Sequence, residues 1–536
     1  MKLTYNGIQD AAAWERAGIL LPPYDVAALA ERTKANPLWV HFGIGNIFRI
    51  FIGGIADRLI REGGMDRGLT CVETFDYDVV DQIYDPFDNL ALSVILHADG
   101  TTEKRVLGAL TEAVKAQSAV PEAWARMKAI FTNPGLQMVS FTITEKGYAL
   151  RNADGELFGH VKADLENGPE KVTGAMGIVT SMLYARYRAG KAPLALVSMD
   201  NVARNGEKLR ASVTETARVW AEKGLVEAAF VDYVSDESVV SFPWTMIDKI
   251  TPRPSDEIAQ ALEADGVENM RPIITSRHTY IAPFVNGEGP QYLVVEDNFP
   301  NGRPPLEKAG VYMASREIVN RSERMKVTAC LNPIHTALGP YDVMLGHELF
   351  ADGMSDPQLA ELARQVGYVE GLPVVEDPGI LSPKAFIDEV INERFPNAYL
   401  GDTSQRICVD ISQGVAFRFG ETVKAYMAKD GTADWLKGIP LAVAGWLRYL
   451  LAVDDEGNSY PLAPDPMVPE LREQLSGVEV GKPESLTDQL RPILSNVNIW
   501  GVDLYRAGIG EKIESIFREE LGGPGAVRAT LKKHLG

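Results

Sequence analysis

The sequence lacks several features that mark other classes of protein. It has only three cysteines among 536 residues, Cys71, Cys330 and Cys408, and none of them forms a CxxC pair. This excludes a disulfide framework and favours a reducing compartment, so we expect a cytoplasmic protein. The first residues have no apolar signal-peptide core, and no run of about 18 apolar residues occurs, so no membrane span is expected.

The sequence also has no stretch rich in lysine and arginine. Its formal net charge is -20, from 73 acidic and 53 basic side chains. This balance argues against nucleic acid as a partner. A small anionic substrate is not excluded, because one local arginine can outweigh the overall field. The length and the 46% hydrophobic content predict a globular protein of two or more domains.

Three common catalytic motifs are missing: the GxSxG elbow, the Walker A loop and the HExxH zinc helix. His335 and the pair His347 and Glu348 do not have the spacing of metal ligands, and we interpret His347 as a helix-surface residue. We therefore expect no metal site.

A strand, a glycine turn and a helix follow one another near the N-terminus. The apolar residues 38–42 lead into Gly43 and Gly45, and helical periodicity continues to Arg61. In this context a GxG pattern indicates dinucleotide binding. Gly43 would permit the tight turn, and Gly45 would let a pyrophosphate approach the helix N-terminus. The usual third glycine is Phe48 here, and an ordinary glycine loop is the alternative.

A second strand, predicted over residues 68–76, contains Glu73 and Asp76 near its end. An acidic residue there would bond the adenosine ribose hydroxyls of NAD and repel the extra phosphate of NADP. Glu73 is the first candidate and Asp76 could substitute for it. Solvated strand-end carboxylates are the alternative.

A third signal follows the apolar strand predicted over residues 193–198. Polar side chains crowd the next segment, and Asn201 is a candidate donor to a substrate oxygen. Sites of open α/β sheets lie past the carboxyl ends of their strands. Simple turn chemistry is the alternative.

The stretch over residues 321–335 combines Lys326, Asn332 and His335 among apolar neighbours. Apolar surroundings would lower the pKa of a lysine and make it a base near neutral pH. Asn332 and Pro333 read as the N-cap and first residue of a helix. The alternative is a core-lining helix with a snorkelling lysine and a hydrogen-bonded histidine.

Strands and helices alternate in the first part of the chain and helical periodicity dominates the second. We predict an α/β domain over residues 1–305, with insertions, followed by a mostly α-helical domain over residues 306–536. The three prolines and the glycine within residues 297–305 mark the boundary.

Taken together, these segments resemble the polyol-specific long-chain dehydrogenases, the family of mannitol 2-dehydrogenase, fructuronate reductase and tagaturonate reductase. The resemblance covers most of the chain and is nearer to the fructuronate reductase branch. Its motifs lie at residues 41–49, 142–147, 200–206, 242–252 and 295–299, at Lys326, Asn332 and His335, and at Arg406 with residues 410–412.

The resemblance implies that the first domain is a Rossmann-type NAD-binding domain and that the helical second domain is the substrate and catalytic domain. It further implies NAD(H) or NADP(H) as cofactor, no catalytic metal, and a monomer, with a dimer as the alternative. Carried over by motif, Lys326 would be the general acid/base. Asn201 and Asn332 would hold the developing alkoxide, and His335 would orient the substrate. Substrate contacts are further assigned to Arg406 and Asp248, and cofactor contacts to Asn46, Ile47, Phe48, Arg49 and Thr144.

The sequence departs from the family in two places. Five residues separate Lys326 from Asn332 where the family usually has four. On a straight helix one extra residue turns the lysine by about 100°. We therefore predict a π-bulge or a helix break just before Pro333. The second departure is Gly414, which stands where many members have a lysine, so the substrate pocket loses a cation there.

These observations predict an NAD-dependent oxidoreductase that interconverts D-mannonate and D-fructuronate. Mannitol 2-dehydrogenase and tagaturonate reductase activities are the alternatives within the family. Outside it, a nucleotide-binding sensor without turnover and an epimerase that uses the cofactor transiently remain open.

Overall fold

The computed structural model describes residues 1–536, the whole chain. It divides into two compact units. Unit 1 consists of Met1–Leu96 and Thr101–Asn320, and unit 2 of His97–Gly100 and Arg321–Gly536. The division falls inside the helix Arg316–Met325, whereas the predicted domain boundary lies after residue 305.

Unit 1 contains every strand of the chain and ten complete α-helices. The strands are β1 (Ile19–Leu20), β2 (Trp39–Phe42), β3 (Leu69–Glu73), β4 (Ala91–Leu96), β5 (Thr102–Leu107), β6 (Leu110–Lys115), β7 (Met138–Phe141), β8 (Leu194–Ser198), β9 (Val240–Ser241), β10 (Thr245–Asp248), β11 (Ile273–Ile274), β12 (Tyr280–Ile281), β13 (Phe284–Glu288), β14 (Tyr292–Glu296) and β15 (Tyr312–Ala314). The helices are α1 (Ala11–Arg16), α2 (Val26–Ala35), α3 (Gly53–Arg61), α4 (Pro121–Thr132), α5 (Thr144–Tyr148), α6 (Gly159–Asn167), α7 (Ala175–Arg188), α8 (Asn205–Glu222), α9 (Ala228–Ser235) and α10 (Asp256–Ala264).

The central sheet of unit 1 has six strands in the order β6-β3-β2-β7-β8-β9. All neighbouring strands are parallel. Numbered along the chain, this is the order 3-2-1-4-5-6 of the dinucleotide-binding Rossmann fold. The predicted Rossmann-type domain is therefore confirmed, and its strand order places the end of β2 at the topological switch point.

Apolar side chains alternate between the two faces of this sheet. Val40 and Phe42 of β2 point into one core cluster, whereas Trp39 points into a second. Leu196 and Val197 of β8 divide in the same way. A parallel sheet is covered on both faces, so its strands read as continuous apolar runs.

The apolar pattern predicts one strand over residues 104–110, and its extent was wrong. The structure has two strands here, since β5 ends at Leu107 and β6 begins at Leu110. β5 pairs antiparallel with β4, whereas β6 joins the Rossmann sheet next to β3. Only Gly108 and Ala109 separate the two strands, so one apolar stretch serves two different sheets.

Unit 2 is helical. The helix α11 (Arg316–Met325) crosses the division, and unit 2 continues with α12 (Asn332–Met344), α13 (Phe350–Met354), α14 (Pro357–Arg364), α15 (Pro383–Glu389), α16 (Ser404–Ile407), α17 (Glu421–Asp430), α18 (Gly438–Tyr449), α19 (Val468–Gln474), α20 (Leu490–Leu494), α21 (Val497–Trp500), α22 (Gly510–Glu520) and α23 (Ala526–Leu535). Four π-helical turns interrupt it, at Lys326–Cys330, Gln365–Gly371, Val390–Arg394 and Ala416–Gly420.

The core of unit 2 is built around α18, all of whose residues are buried. α12 and α22 pack against it. A β-carbon at Gly445 would lie 2.4 Å from the Tyr341 ring, so glycine is what lets α12 approach. The predicted mostly helical second part is confirmed. None of the helices combines the length and apolar character that crossing a bilayer requires, and the three cysteines are free and buried.

Candidate active site

The glycine turn after β2 has the geometry of a dinucleotide-binding loop. Gly43 has φ +88°, and a β-carbon there would lie 2.1 Å from the carbonyl oxygen of Thr142. No residue other than glycine fits this position. At Gly45 a β-carbon would meet no protein atom within 4 Å, so the space beside the backbone is open at the helix N-terminus. These are the two properties that a pyrophosphate site needs.

A chain of hydrogen bonds runs under this turn from β2 to β7. Thr142 donates its hydroxyl proton to the carbonyl oxygen of Gly43 at 2.8 Å, so its oxygen accepts from His41 Nε2 at 2.8 Å. The other ring nitrogen, Nδ1, then accepts from the Ser140 hydroxyl at 2.6 Å, and that oxygen accepts from Trp39 Nε1 at 2.7 Å. The network assigns the Nε2–H tautomer to His41. Burial lowers the histidine pKa well below its usual value, so the ring is neutral.

Arg49 fixes the side chain of Asn46 from behind the turn. The guanidinium is buried and donates to Asn46 Oδ1 at 2.6 Å and to the carbonyl of Ala282 at 2.7 Å. Burial lowers its pKa. Both predicted cofactor residues therefore lie at the turn, with Asn46 positioned by the arginine.

Phe48 stands where the third glycine of the fingerprint was expected. Its ring is buried and stacks on His41 at 4.1 Å between ring centroids. It begins a π-helical turn, Phe48–Ile52, and Ile47 packs on the same core. The close helix–sheet contact is made instead at Gly53, where a β-carbon would lie 3.1 Å from the Leu110 side chain. No role was predicted for Gly53 from the sequence.

Glu73 and Asp76 lie at the carboxyl end of β3 in different roles. Glu73 Oε1 accepts the backbone N–H groups of Thr74 and Phe75 at 2.9 Å and of Asp76 at 3.2 Å. Burial raises the pKa of Glu73, and these hydrogen bonds oppose the rise. Asp76 accepts from the Thr275 hydroxyl at 2.6 Å, and its Oδ1 is buried without a hydrogen-bond partner. One oxygen of each carboxylate thus accepts hydrogen bonds from other groups of the protein.

Thr144 is held in a left-handed backbone conformation, with φ +63°. For a β-branched residue this conformation is strained. The Asp200 carboxylate holds it by accepting the N–H groups of Ile143 at 2.9 Å and Thr144 at 3.0 Å, together with the Tyr148 hydroxyl at 2.6 Å. Burial raises the pKa of Asp200. The loops that follow β7 and β8 are therefore tied together.

Asn205 fixes the loop that carries Asn201. Its Nδ2 donates to the carbonyl of Asp200 at 3.0 Å and to the hydroxyl of Thr245 at 2.8 Å. Asn201 itself is exposed on this loop. Asp248, the other predicted substrate residue of unit 1, is buried at the end of β10.

In unit 2, the residues from Lys326 to Cys330 form a π-helical turn between α11 and α12. The N–H of Leu331 donates to the carbonyl of Lys326 at 3.1 Å, five residues back. Leu331 then breaks the helix with φ -131° and ψ -67°. The predicted π-bulge before Pro333 is confirmed. Lys326 is buried, and so are its neighbours Met325, Ala329 and Cys330.

α12 begins at Asn332, with Leu331 rather than Asn332 as its N-cap, so the predicted cap was wrong by one residue. The amide oxygen of Asn332 is buried and has no hydrogen-bond partner. His335, three residues along α12, stacks on Phe395 at 5.0 Å and meets the edge of Phe350 at 4.6 Å between centroids. Two aromatic rings thus fix the imidazole plane.

Both parts of the chain match models of a known protein family. Residues 38–308 match the mannitol dehydrogenase Rossmann domain, and residues 319–518 match the mannitol dehydrogenase C-terminal domain. The chain belongs to the mannitol dehydrogenase family. A D-mannonate oxidoreductase of Thermotoga maritima is 49% identical over 539 residues, which cover 100% of this chain and 99% of the relative.

Two solved structures have the same fold. A substrate-free D-sorbitol dehydrogenase superposes with a TM-score of 0.78 at 26% identity, covering 96% of this chain and 97% of its own. A Pseudomonas fluorescens mannitol 2-dehydrogenase in a ternary complex with NAD and D-mannitol gives a TM-score of 0.71 at 24% identity, covering 99% of both chains.

Arg406, assigned to the substrate by the family motif, is engaged with a neighbour. Its guanidinium forms two hydrogen bonds of 2.5 Å with the Asp402 carboxylate, and 61% of its side chain is exposed. A substrate would have to share this arginine with Asp402.

At the second departure from the mannitol dehydrogenase pattern, another cation lies next to Gly414. A β-carbon at Gly414 would be 2.4 Å from Nε and 2.5 Å from Cζ of Arg418. The guanidinium of Arg418 therefore covers the position at which the family lysine would begin. No role was predicted for Arg418, although its spacing of four residues from Gly414 is visible in the sequence.

Proposed function

We propose that this protein is an NAD-dependent oxidoreductase that interconverts D-mannonate and D-fructuronate. The similarity to D-mannonate oxidoreductase at 49% identity over the full chain carries this proposal. Interconversion of D-mannitol and D-fructose, or reduction of D-tagaturonate, are the alternatives within the mannitol dehydrogenase family.

The glycine turn of unit 1 is the part that would hold the cofactor. Gly43 fits only as glycine and Gly45 faces open space, so the loop suits a pyrophosphate. The carboxylates of Glu73 and Asp76 at the end of β3 favour the ribose hydroxyls of NAD over the phosphate of NADP. NAD would supply a hydride acceptor, and NADH a hydride donor. Thr144, held in its strained conformation by Asp200, is the proposed contact of the neighbouring loop.

Lys326 is the proposed general acid/base. Oxidation of a secondary alcohol requires a group that removes the hydroxyl proton, and the neutral amine of Lys326 would take it. In the direction of reduction the protonated amine returns the proton to the same oxygen. The π-helical turn Lys326–Cys330 carries this amine just before α12, among buried apolar neighbours.

The amides of Asn201 and Asn332 would donate hydrogen bonds to the substrate oxygen as negative charge develops on it. The Asn332 amide oxygen, buried without a protein partner, is suited to accept from a neighbouring substrate hydroxyl. His335, fixed between two rings, would orient the sugar chain. Arg406 and Asp248 are the proposed contacts to more distant substrate groups.

The proposal is tested in the direction of oxidation. Wild-type protein is incubated with NAD and D-mannonate, NADH formation is followed at 340 nm, and the product is identified by chromatography against authentic D-fructuronate. Formation of one D-fructuronate per NADH supports the proposal. An unchanged substrate, or a product formed without net NADH, contradicts it.

We also propose that residues 1–305 bind the cofactor, that residues 306–536 bind the substrate, and that the protein acts as a monomer in the cytoplasm. Light scattering coupled to size-exclusion chromatography tests the oligomeric state. A mass near 58.7 kDa supports the monomer, and twice that mass contradicts it.

A further inference from the structure

Arg418 is an arginine that the protein leaves without a carboxylate partner. It lies partly buried in the π-helical turn Ala416–Gly420, which packs against α12 and against the turn that carries Lys326. Its Nη1 donates to the hydroxyl of Thr336 at 2.8 Å. The guanidinium makes no other hydrogen bond to the protein and no ion pair.

Two other arginines of unit 2 have a carboxylate partner. Arg406 is bound by Asp402, and Arg528 is bound by Asp356. At Arg418, Asp410 is the only acid that acts on the guanidinium, and its effect is smaller than that of burial, which lowers the arginine pKa. A guanidinium stays charged in any case. The fork of donors that remains matches a carboxylate.

The partner of Arg418 lies on the helix that presents the proposed substrate residues. Thr336 is four residues after Asn332 on α12 and so lies on the same face, about 6 Å further along the axis. A six-carbon sugar acid separates its reacting carbon from its carboxylate by four carbon–carbon bonds of about 1.5 Å, or about 5 Å when extended. The distance along α12 from Asn332 to Thr336 is therefore similar to the distance in the sugar acid from its reacting carbon to its carboxylate.

Gly414 is what makes room for this arginine. Any side chain at residue 414 would collide with the guanidinium, because the β-carbon alone would lie 2.4 Å from Nε. The backbone holds the arginine in register, since the N–H of Arg418 donates to the carbonyl of Gly414 at 2.9 Å. Glycine at residue 414 and arginine at residue 418 therefore form a matched pair.

We propose that Arg418 binds the carboxylate of the sugar acid and so selects sugar acids over uncharged polyols. This inference rests on the proposed function and names the group that recognises its substrate. Arg418 thus supplies the positive charge that many members of the family carry as a lysine at the position of Gly414.

The test compares a charged and an uncharged ketose in Arg418→Met, which keeps an apolar stem and removes the charge. We expect kcat/KM for D-fructuronate to fall about 10- to 100-fold, mainly through KM, because charge-assisted hydrogen bonds to the substrate are lost. Reduction of D-fructose and the Kd for NADH should stay within about twofold. The matched control is Arg506→Gln, which removes a guanidinium that is 86% exposed on the surface of unit 2.

A rescue separates substrate recognition from a structural role. Arg418→Ala opens the space over residue 414, and the double variant Gly414→Lys/Arg418→Ala returns a cation from that position. We expect the double variant to reduce D-fructuronate at least tenfold more efficiently than Arg418→Ala alone. Equal losses with both ketoses, an unchanged kcat/KM for D-fructuronate in Arg418→Met, or no rescue would each overturn the inference. Wild-type protein that neither reduces D-fructuronate nor binds D-mannonate would overturn the proposed function itself.

Discussion

Replacing Glu520 by glutamine should stabilise the protein, and increasingly so as the pH rises. Glu520 lies at the end of α22, fully buried. Its Oε1 accepts from the Tyr341 hydroxyl at 2.6 Å, and its Oε2 is buried without a partner. The nearest arginine, Arg448, donates Nε to the main-chain oxygen of Glu520 at 3.2 Å rather than to the carboxylate. Burial therefore raises the pKa of Glu520 to about 8.

The pH dependence of the stability follows from the difference between the pKa of Glu520 in the folded and unfolded protein. A carboxyl whose folded pKa is raised contributes stability that is complete below the unfolded pKa near 4.5 and is lost as the pH rises, until the loss levels off at about 8. Each pKa unit corresponds to about 1.4 kcal/mol, so the loss is about 3 kcal/mol at pH 7 and about 5 kcal/mol above pH 8. Glutamine stays neutral and keeps the acceptor for Tyr341, so the variant avoids this loss.

Urea unfolding followed by tryptophan fluorescence at pH 5, 6, 7, 8 and 9 measures the effect. The free energy of unfolding of Glu520→Gln minus that of wild type should rise by about 1 kcal/mol per pH unit up to pH 8 and then level off. Glu473→Gln, which removes an exposed carboxylate of α19, should show a small difference at every pH. A difference for Glu520→Gln that does not change with pH would contradict a raised pKa of Glu520.

Three further substitutions test the proposed site. Lys326→Met should lower kcat at least 100-fold while the Kd for NADH is unchanged, since only proton transfer is removed; full turnover would exclude Lys326 as the base. Gly43→Ala places a β-carbon 2.1 Å from the Thr142 carbonyl, so fluorescence titration should show NADH binding weakened more than tenfold, and wild-type affinity would contradict the assigned turn. Asp200→Asn removes one acceptor for the strained Thr144, so NADH affinity and thermal stability should fall together, and an unchanged Kd would separate Thr144 from the cofactor.

Local patterns predicted much of unit 1. Strand, glycine turn and helix follow from the apolar run before Gly43, and the acidic end of β3 follows from Glu73. Which strands pair with each other could not be predicted from local patterns. Leu110 looks like the end of a hairpin strand, because the apolar pattern does not show that the sheet partner changes after Leu107. The hydrogen bonds that hold the site, such as those of Asp200, join loops far apart in sequence.

In unit 2 the spacing between residues predicted more of the local structure than the residue types did. One extra residue between Lys326 and Asn332 predicts the π-helical turn, because a regular helix would turn the lysine away. The four-residue spacing of Asp402 and Arg406 indicates their ion pair in the same way. Arg418 meets Gly414 at another π-helical turn, Ala416–Gly420, for which the sequence carries no comparable signal.

Oxidation of NADH at 340 nm, compared side by side with D-fructuronate, D-tagaturonate and D-fructose, tests the proposed substrate. We expect a large advantage in kcat/KM for D-fructuronate over both other ketoses. A preference for D-fructose would contradict it and make the protein a polyol dehydrogenase, and a preference for D-tagaturonate would assign it to another branch of the mannitol dehydrogenase family. Absence of turnover with all three would contradict the proposed chemistry of Lys326.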